Sequence, residues 1–122
     1  MYQVLVKRLK DSPSEKFIEN SVINQLNFRK ADASLVEVEV VGLTKMLSIN
    51  KKYRSIDSAT DVLSFPVAEF PNTTDQPKML GTIFLCSDII KKNSCEYGKT
   101  FEEEFDFMLK HGVDHLLGFH HK

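Results

Sequence analysis

Leu35-Val36-Glu37-Val38-Glu39-Val40-Val41 alternates apolar with acidic side chains over most of its length. That alternation puts the valines on one face of a strand and the glutamates on the other, so it predicts a half-buried strand. Gly42 breaks it. On the N-terminal side, Ser12-Pro13-Ser14-Glu15 predicts a helix start, with Ser12 as the cap, Pro13 at the first helical position and Glu15 closing a capping box. Phe17, Ile18, Val22, Ile23 and Leu26 then recur at helical spacing to about Arg29. Before that helix, Tyr2 to Val6 reads as a first strand. On the C-terminal side, Thr44 is placed to cap a short helix through Met46, Leu47, Ile49 and Tyr53, and the polar stretch Arg54 to Thr60 is irregular. Asp61 to Val67 reads as a strand, with Pro66 favouring a sheet edge or a strand end. Residues 69–79 form a loop, and Leu80 to Cys86 a further strand. Ser87 or Asp88 caps a third helix ending near Gly98. Thr100 with Glu103 makes a capping box for a last helix, lined by Phe101, Phe105, Met108, Leu109 and Leu116 and ended by Gly118. The order βαβαββαα predicts an α/β (α+β) fold. It is one small domain spanning 1–122, with a mixed four-stranded sheet packed by about four helices.

A chain of 122 residues and 14.0 kDa suits one core. With 42% apolar and 27% charged residues it is neither collagen-like, coiled-coil nor disordered. No apolar run approaches the ~20 residues of a membrane span. The opening MYQVLVKRLK turns to charge too early for a signal peptide. The formal net charge is −1, so no global basic field announces nucleic acid. Residues 1–61 carry ten Lys/Arg against eight Asp/Glu, and residues 62–122 six against nine, so an RNA ligand would need a local basic patch. Cys86 and Cys95 have no CxxC spacing and fit a reducing, cytoplasmic setting. All four histidines fall between positions 111 and 121.

That cluster reads His111-Gly112-Val113-Asp114-His115-Leu116-Leu117-Gly118-Phe119-His120-His121. On a helix His111 and His115 stack on one face. Gly118 lets the backbone turn, which can bring His121 back toward the same ion. Three imidazoles and a water form an open, catalytic zinc site, placed here on the C-terminal helix and the turn after it. Imidazole also suits other divalent transition metals. The spacing is that of the elongated zinc motif of metzincin proteases, but those carry Glu directly after the first His, as general base. Gly112 stands there, which disfavours a protease. Asp114 reads as a solvated helix-face carboxylate, with orienting an imidazole or a water as the alternative. His120 reads equally as support for the ligands or as a surface residue.

The segment His111 to His121 resembles the H-G-x-L-H-L-x-G-Y-D-H signature of the YbeY family of bacterial rRNA maturation factors. Ile49 to Pro66 is similar to that family's L-N-x-x-Y-R-x-x-D-x-x-T-D-V-L-S-F-P stretch, and Leu80-Gly81-Thr82-Ile83 to its L-G-D-I. The three occur in family order and cover most of residues 47–121. The resemblance implies a single-strand-specific, metal-dependent endoribonuclease. Its expected roles are small-subunit rRNA 3′-end maturation and ribosome quality control. It implies one zinc held by His111, His115 and His121, and Arg54 as a functional arginine near the cleft. Expected partners are single-stranded rRNA, the small ribosomal subunit and its assembly factors. The chain departs from the pattern at His120 and Thr82, where the family has Asp, and at Asp114, where it has an aliphatic residue. It also stops at Lys122, where family members continue for another helix-sized segment.

Phosphodiester cleavage needs a nucleophile, charge stabilisation at phosphate and help for the leaving oxygen. Bound zinc can bring the pKa of its water to about 7. Arg54 suits phosphate, because guanidinium pairs with it bidentately. Lys51, Lys52 and Arg54 make the best local basic patch, although cations at a helix end are equally explained by the dipole. Lys7, Arg8 and Lys10 are a weaker one. Tyr53 or Phe70 could stack an unpaired base, while core packing is the plainer reading of both. Two other functions remain: a metallopeptidase-like hydrolase indifferent to Arg54, and a non-catalytic ribosome-binding module whose metal is structural.

Overall fold

The computed structural model describes residues 2–32, 35–67 and 79–119. Strand β2 (Leu35–Val41) lies inside a four-stranded sheet, parallel to β1 (Gln3–Lys7) on one side and to β4 (Met79–Cys86) on the other. Strand β3 (Val62–Pro66) closes the order β1-β2-β4-β3, antiparallel to β4. The sheet is therefore mixed, and Pro66 ends an edge strand, where its missing N–H leaves no ladder bond unmade.

The alternation in β2 sorts the helices. Val36, Val38 and Val40 face a core shared with Ile18, Val22 and Leu26 of α1 (Glu15–Phe28) and Phe105, Leu109 and Val113 of α4 (Phe101–Leu116). Ile90 of α3 (Ser87–Tyr97) joins the same core. On the other face Val41 and Cys86 pack against Met46 of α2 (Leu43–Arg54). Glu37 and Glu39 also point there, and accept from Thr82 Oγ1 (3.0 Å) and Lys45 Nζ (2.6 Å).

Three helix starts differ from the reading of the sequence. The cap of α1 is Ser14, whose Oγ accepts from Phe17 N at 3.1 Å, because Ser12 Oγ is taken by Leu9 N at 2.9 Å in the preceding turn. Helix α2 begins at Leu43 after Gly42, which puts Thr44 inside it. Helix α3 begins at Ser87 directly off β4, with Cys86 at the cap position in place of Ser87 or Asp88. The Thr100–Glu103 capping box of α4 is present in both directions, and Gly98 ends α3 at φ 68°. The loop predicted over 69–79 lies outside the described residues, apart from Met79, which opens β4.

Candidate active site

Helix α4 carries His111 and His115 one turn apart, with ring centroids 4.4 Å from each other and planes tilted by 45°. Both are half-buried, and His115 Nε2 is inaccessible to solvent. The apolar stripe Phe105, Leu109, Val113 and Leu116 anchors the helix on the sheet, which leaves the histidine stripe along one border of the contact. The helix closes in a Schellman turn: Gly118 N donates to His115 O (3.1 Å) and Phe119 N to Asp114 O (2.9 Å), with Gly118 at φ 91°. This is the turn predicted at Gly118. His120 and His121 lie outside the described residues. Among the described residues, no three His, Cys, Asp or Glu side chains gather into a metal-sized group.

The sheet side of the histidine stripe is closed by Gly112. A Cβ there would lie 2.9 Å from Ile83 Cγ2 and 3.2 Å from Ser64 Oγ. Ser64 Oγ donates to Gly112 O at 3.2 Å, tying β3 to the helix. Ser64 also faces α2, since its carbonyl accepts from Arg54 Nη2 at 3.0 Å. The Arg54 guanidinium lies over the Phe65 ring at 4.4 Å. Arg54 is the last residue of α2, and Ser55 ends the helix in the left-handed region at φ 59°. Asn50, buried in α2, donates to Ser58 O at 2.8 Å and so pins the irregular segment that carries the chain to β3. The result is a cleft of about 410 Å³ in which Arg54, Asn50 and Ser64 face His111 and His115.

The other flank of the stripe holds a charged pair that corrects the reading of Asp114. This residue is 4% exposed, not solvated. Its carboxylate accepts from Gln25 Nε2 (2.7 Å), Arg29 Nε (2.9 Å) and Arg29 Nη2 (2.8 Å). Arg29 Nη2 and Asp114 Oδ2 form a salt bridge, and the hydrogen bond to Asp114 raises the Arg29 pKa further above its ordinary value. Sequence reasoning passed over Gln25 and Arg29, whose partner stands 89 and 85 positions away. Gln25, Asp114 and His111 line a second cleft of about 750 Å³, so His111 borders both.

Tyr53 is 45% exposed, with its ring steeply inclined to that of Phe65 at 5.4 Å, which overturns its core reading. Phe70 lies outside the described residues. Lys51 and Lys52 are exposed in the last turn of α2, beside Arg54. Arg8 of the weaker patch donates to Pro13 O (3.1 Å) and Ser12 O (3.4 Å), bracing the entry to α1.

The family model described as Endoribonuclease YbeY matches residues 5–122. An Endoribonuclease YbeY of Buchnera aphidicola is 36% identical over 116 residues, covering 95% of this chain and 72% of the relative. One of Staphylococcus carnosus is 37% identical over 106 residues, covering 80% of this chain and 69% of the relative. The solution structure of a Thermotoga maritima protein superposes with a TM-score of 0.61 at 27% identity, over 97% of this chain and 75% of the other. A match over nearly the whole chain, with Arg54 and the histidine helix meeting in one cleft, leads to one conclusion: the chain belongs to the YbeY endoribonuclease family.

Proposed function

We propose that this chain cuts single-stranded RNA with one zinc ion held by His111, His115 and His121, and with Arg54 engaging the phosphate. Endoribonuclease activity and a role in rRNA maturation come with the family. The finer assignments rest above all on one observation, that the Arg54 guanidinium and two imidazoles from a distant helix line the same cleft. The donor set fits the metal: two imidazoles 4.4 Å apart, one with its Nε2 in a buried position, are nitrogen ligands of the kind zinc takes. When bound, zinc supplies Lewis acidity at phosphate and lowers the pKa of water toward neutrality.

The chain's own residues do the rest. Arg54 is oriented by the Ser64 carbonyl and by the Phe65 ring, so its planar fork is set before RNA arrives. A guanidinium held in this way binds phosphate bidentately and stabilises the charge that develops there. Lys51 and Lys52 add positive charge at the same rim. Tyr53, exposed beside them, offers a face to a base. Gly112 argues against a peptidase, because its site has no room for the carboxylate that peptide chemistry places after the first histidine. No helix among the described residues is long and apolar enough to cross a membrane. We place the protein in the cytoplasm with the small ribosomal subunit as its partner, since that is where rRNA is matured.

The test is metal content and cleavage of a single-stranded RNA, measured on one preparation beside His115→Ala and Arg54→Ala. The expected result is about one zinc per chain and RNA cut by the wild type. His115→Ala should lose both, and Arg54→Ala should lose cutting while keeping metal. Bound metal with RNA left intact, with and without ribosomal subunits, would give the site to a structural metal.

A further inference from the structure

Two exposed aromatic residues lie together beside the C-terminal end of the histidine helix. Phe28 is 70% exposed at the end of α1, and Phe119 is 44% exposed just beyond the Schellman turn. Between them sits Arg29, with its guanidinium carbon 5.2 Å from the Phe28 centroid and 4.2 Å from that of Phe119. We propose that Phe28, Arg29 and Phe119 form a stacking platform for an unpaired base of the RNA substrate, next to the scissile position. This rests on the endoribonuclease reading and adds to it a base-binding subsite.

Three features carry the assignment. The platform is rigid: Asp114 holds Arg29 by two hydrogen bonds, and the turn beneath Phe119 is closed by its own backbone bonds. Its charge is already balanced, because Asp114 is buried against Arg29. What it offers outward is therefore flat π surface, which suits a nucleobase better than a phosphate. Its link to the site runs through Asp114, which holds Arg29 and lines the second cleft. Around α4, Asp114 lies on one side of the His111–His115 stripe and Gly112 on the other. The two clefts share His111, and the second is lined by Asp114 and by Gln25, which donates to the same carboxylate as Arg29. An RNA crossing the stripe with one phosphate at Arg54 brings a neighbouring base toward Phe119. Only an unpaired base can present its face there, since a base in a duplex is stacked on both sides. The platform thus selects single strands.

The experiment uses the metal-loaded wild-type protein and a labelled single-stranded RNA, with an abasic nucleotide placed at each position in turn. One abasic position near the cut should raise KM. Phe119→Leu should raise KM on the intact RNA by about five- to 150-fold, the range that loss of one stacked base corresponds to. The same abasic position should then have no further effect in Phe119→Leu, and Phe119→Tyr should restore KM. Thermal unfolding of each variant separates lost stacking from lost structure. Wild-type KM in Phe119→Leu, or an abasic penalty that adds to it in full, would overturn the platform while leaving the nuclease reading intact. A wild type that holds metal but cuts no RNA would overturn both, and that failure shows before any variant is made.

Discussion

Replacing Gly112 by alanine should destabilise the protein, although the same change in an open helix would stabilise it. Alanine is better than glycine in a helix interior by about 1 kcal/mol. At this position the added Cβ would lie 2.9 Å from Ile83 Cγ2, 3.2 Å from Ser64 Oγ and 3.3 Å from Ile83 Cδ1. Ile83 is fully buried on β4, between β2 and β3, and has no open side to retreat to. Overpacking of this kind costs about 1–3 kcal/mol. Relief would come from lifting α4 by a few tenths of an ångström, which strains the 3.2 Å bond from Ser64 to the Gly112 carbonyl. Set against the propensity gain, the net loss is about 1 kcal/mol. In a domain of this size that is a fall in Tm of roughly 4 °C. The assay is thermal unfolding followed by circular dichroism in excess chelator, so that changes in metal affinity do not enter. A Tm equal to or above that of the wild type would refute the reasoning, because it would mean that α4 stands further off the sheet than this contact requires.

Asp114→Leu, which restores the aliphatic type usual at that position in the family, should lower Tm by leaving Arg29 and Gln25 without their acceptor. Adding Arg29→Met should recover part of the loss, which a double-mutant cycle by urea unfolding would reveal. Glu103 is held below its ordinary pKa by the Thr100 backbone and side chain. Its folded pKa is depressed, so its contribution is present above the unfolded value and is lost as pH falls through the folded one. Glu103→Gln should therefore be less stable than the wild type at pH 7 and converge with it in acid, as read from Tm against pH. Burial raises the pKa of the Cys86 thiol, while Cys95 is exposed. A thiol reagent should titrate Cys95 quickly in the native protein and Cys86 only on unfolding. A chelator should abolish RNA cutting yet leave a folded chain with cooperative melting, because the core around Phe105, Leu109 and Val113 is built without the histidines. Collapse of the far-ultraviolet signal on chelation would instead favour a structural metal.

What was legible in the sequence was what is local or periodic. The alternation of β2 and the capping box of α4 each specify an element within a few residues, and both stand where they were read. The starts of α1 and α3 were misread because several residues in each could cap, and the choice is made by neighbours. Ser12 is drawn off by Leu9 N, and α3 leaves β4 with no turn between. Asp114 was misread for a stronger reason. A carboxylate on a helix looks solvated unless its partner is known, and Arg29 reaches it only after α1 docks on α4. The pairing of Arg54 with the histidine helix came from resemblance alone, since no periodicity links α2 to α4. The structure supplies the physical link through Ser64, which touches both.

The histidine spacing is shared with peptidases, and the packing of one residue separates the two chemistries. The residue after His111 lies about 100° around the helix axis from it. In the peptidase arrangement that direction must stay open, so that a glutamate can work beside the metal. Here it is filled: Ile83 and Ser64 crowd Gly112, and a glutamate side chain could enter only by pushing α4 off the sheet. Charged help for the reaction must then come from outside α4. Arg54 at the end of α2 and Asp61 just before β3 are the charged residues from outside α4 that line the same cleft. The Arg54 guanidinium suits a phosphodiester, which carries negative charge throughout its cleavage, better than a neutral peptide. On the proposed reading, the glycine that lets the helix approach the sheet also turns the site away from peptide chemistry.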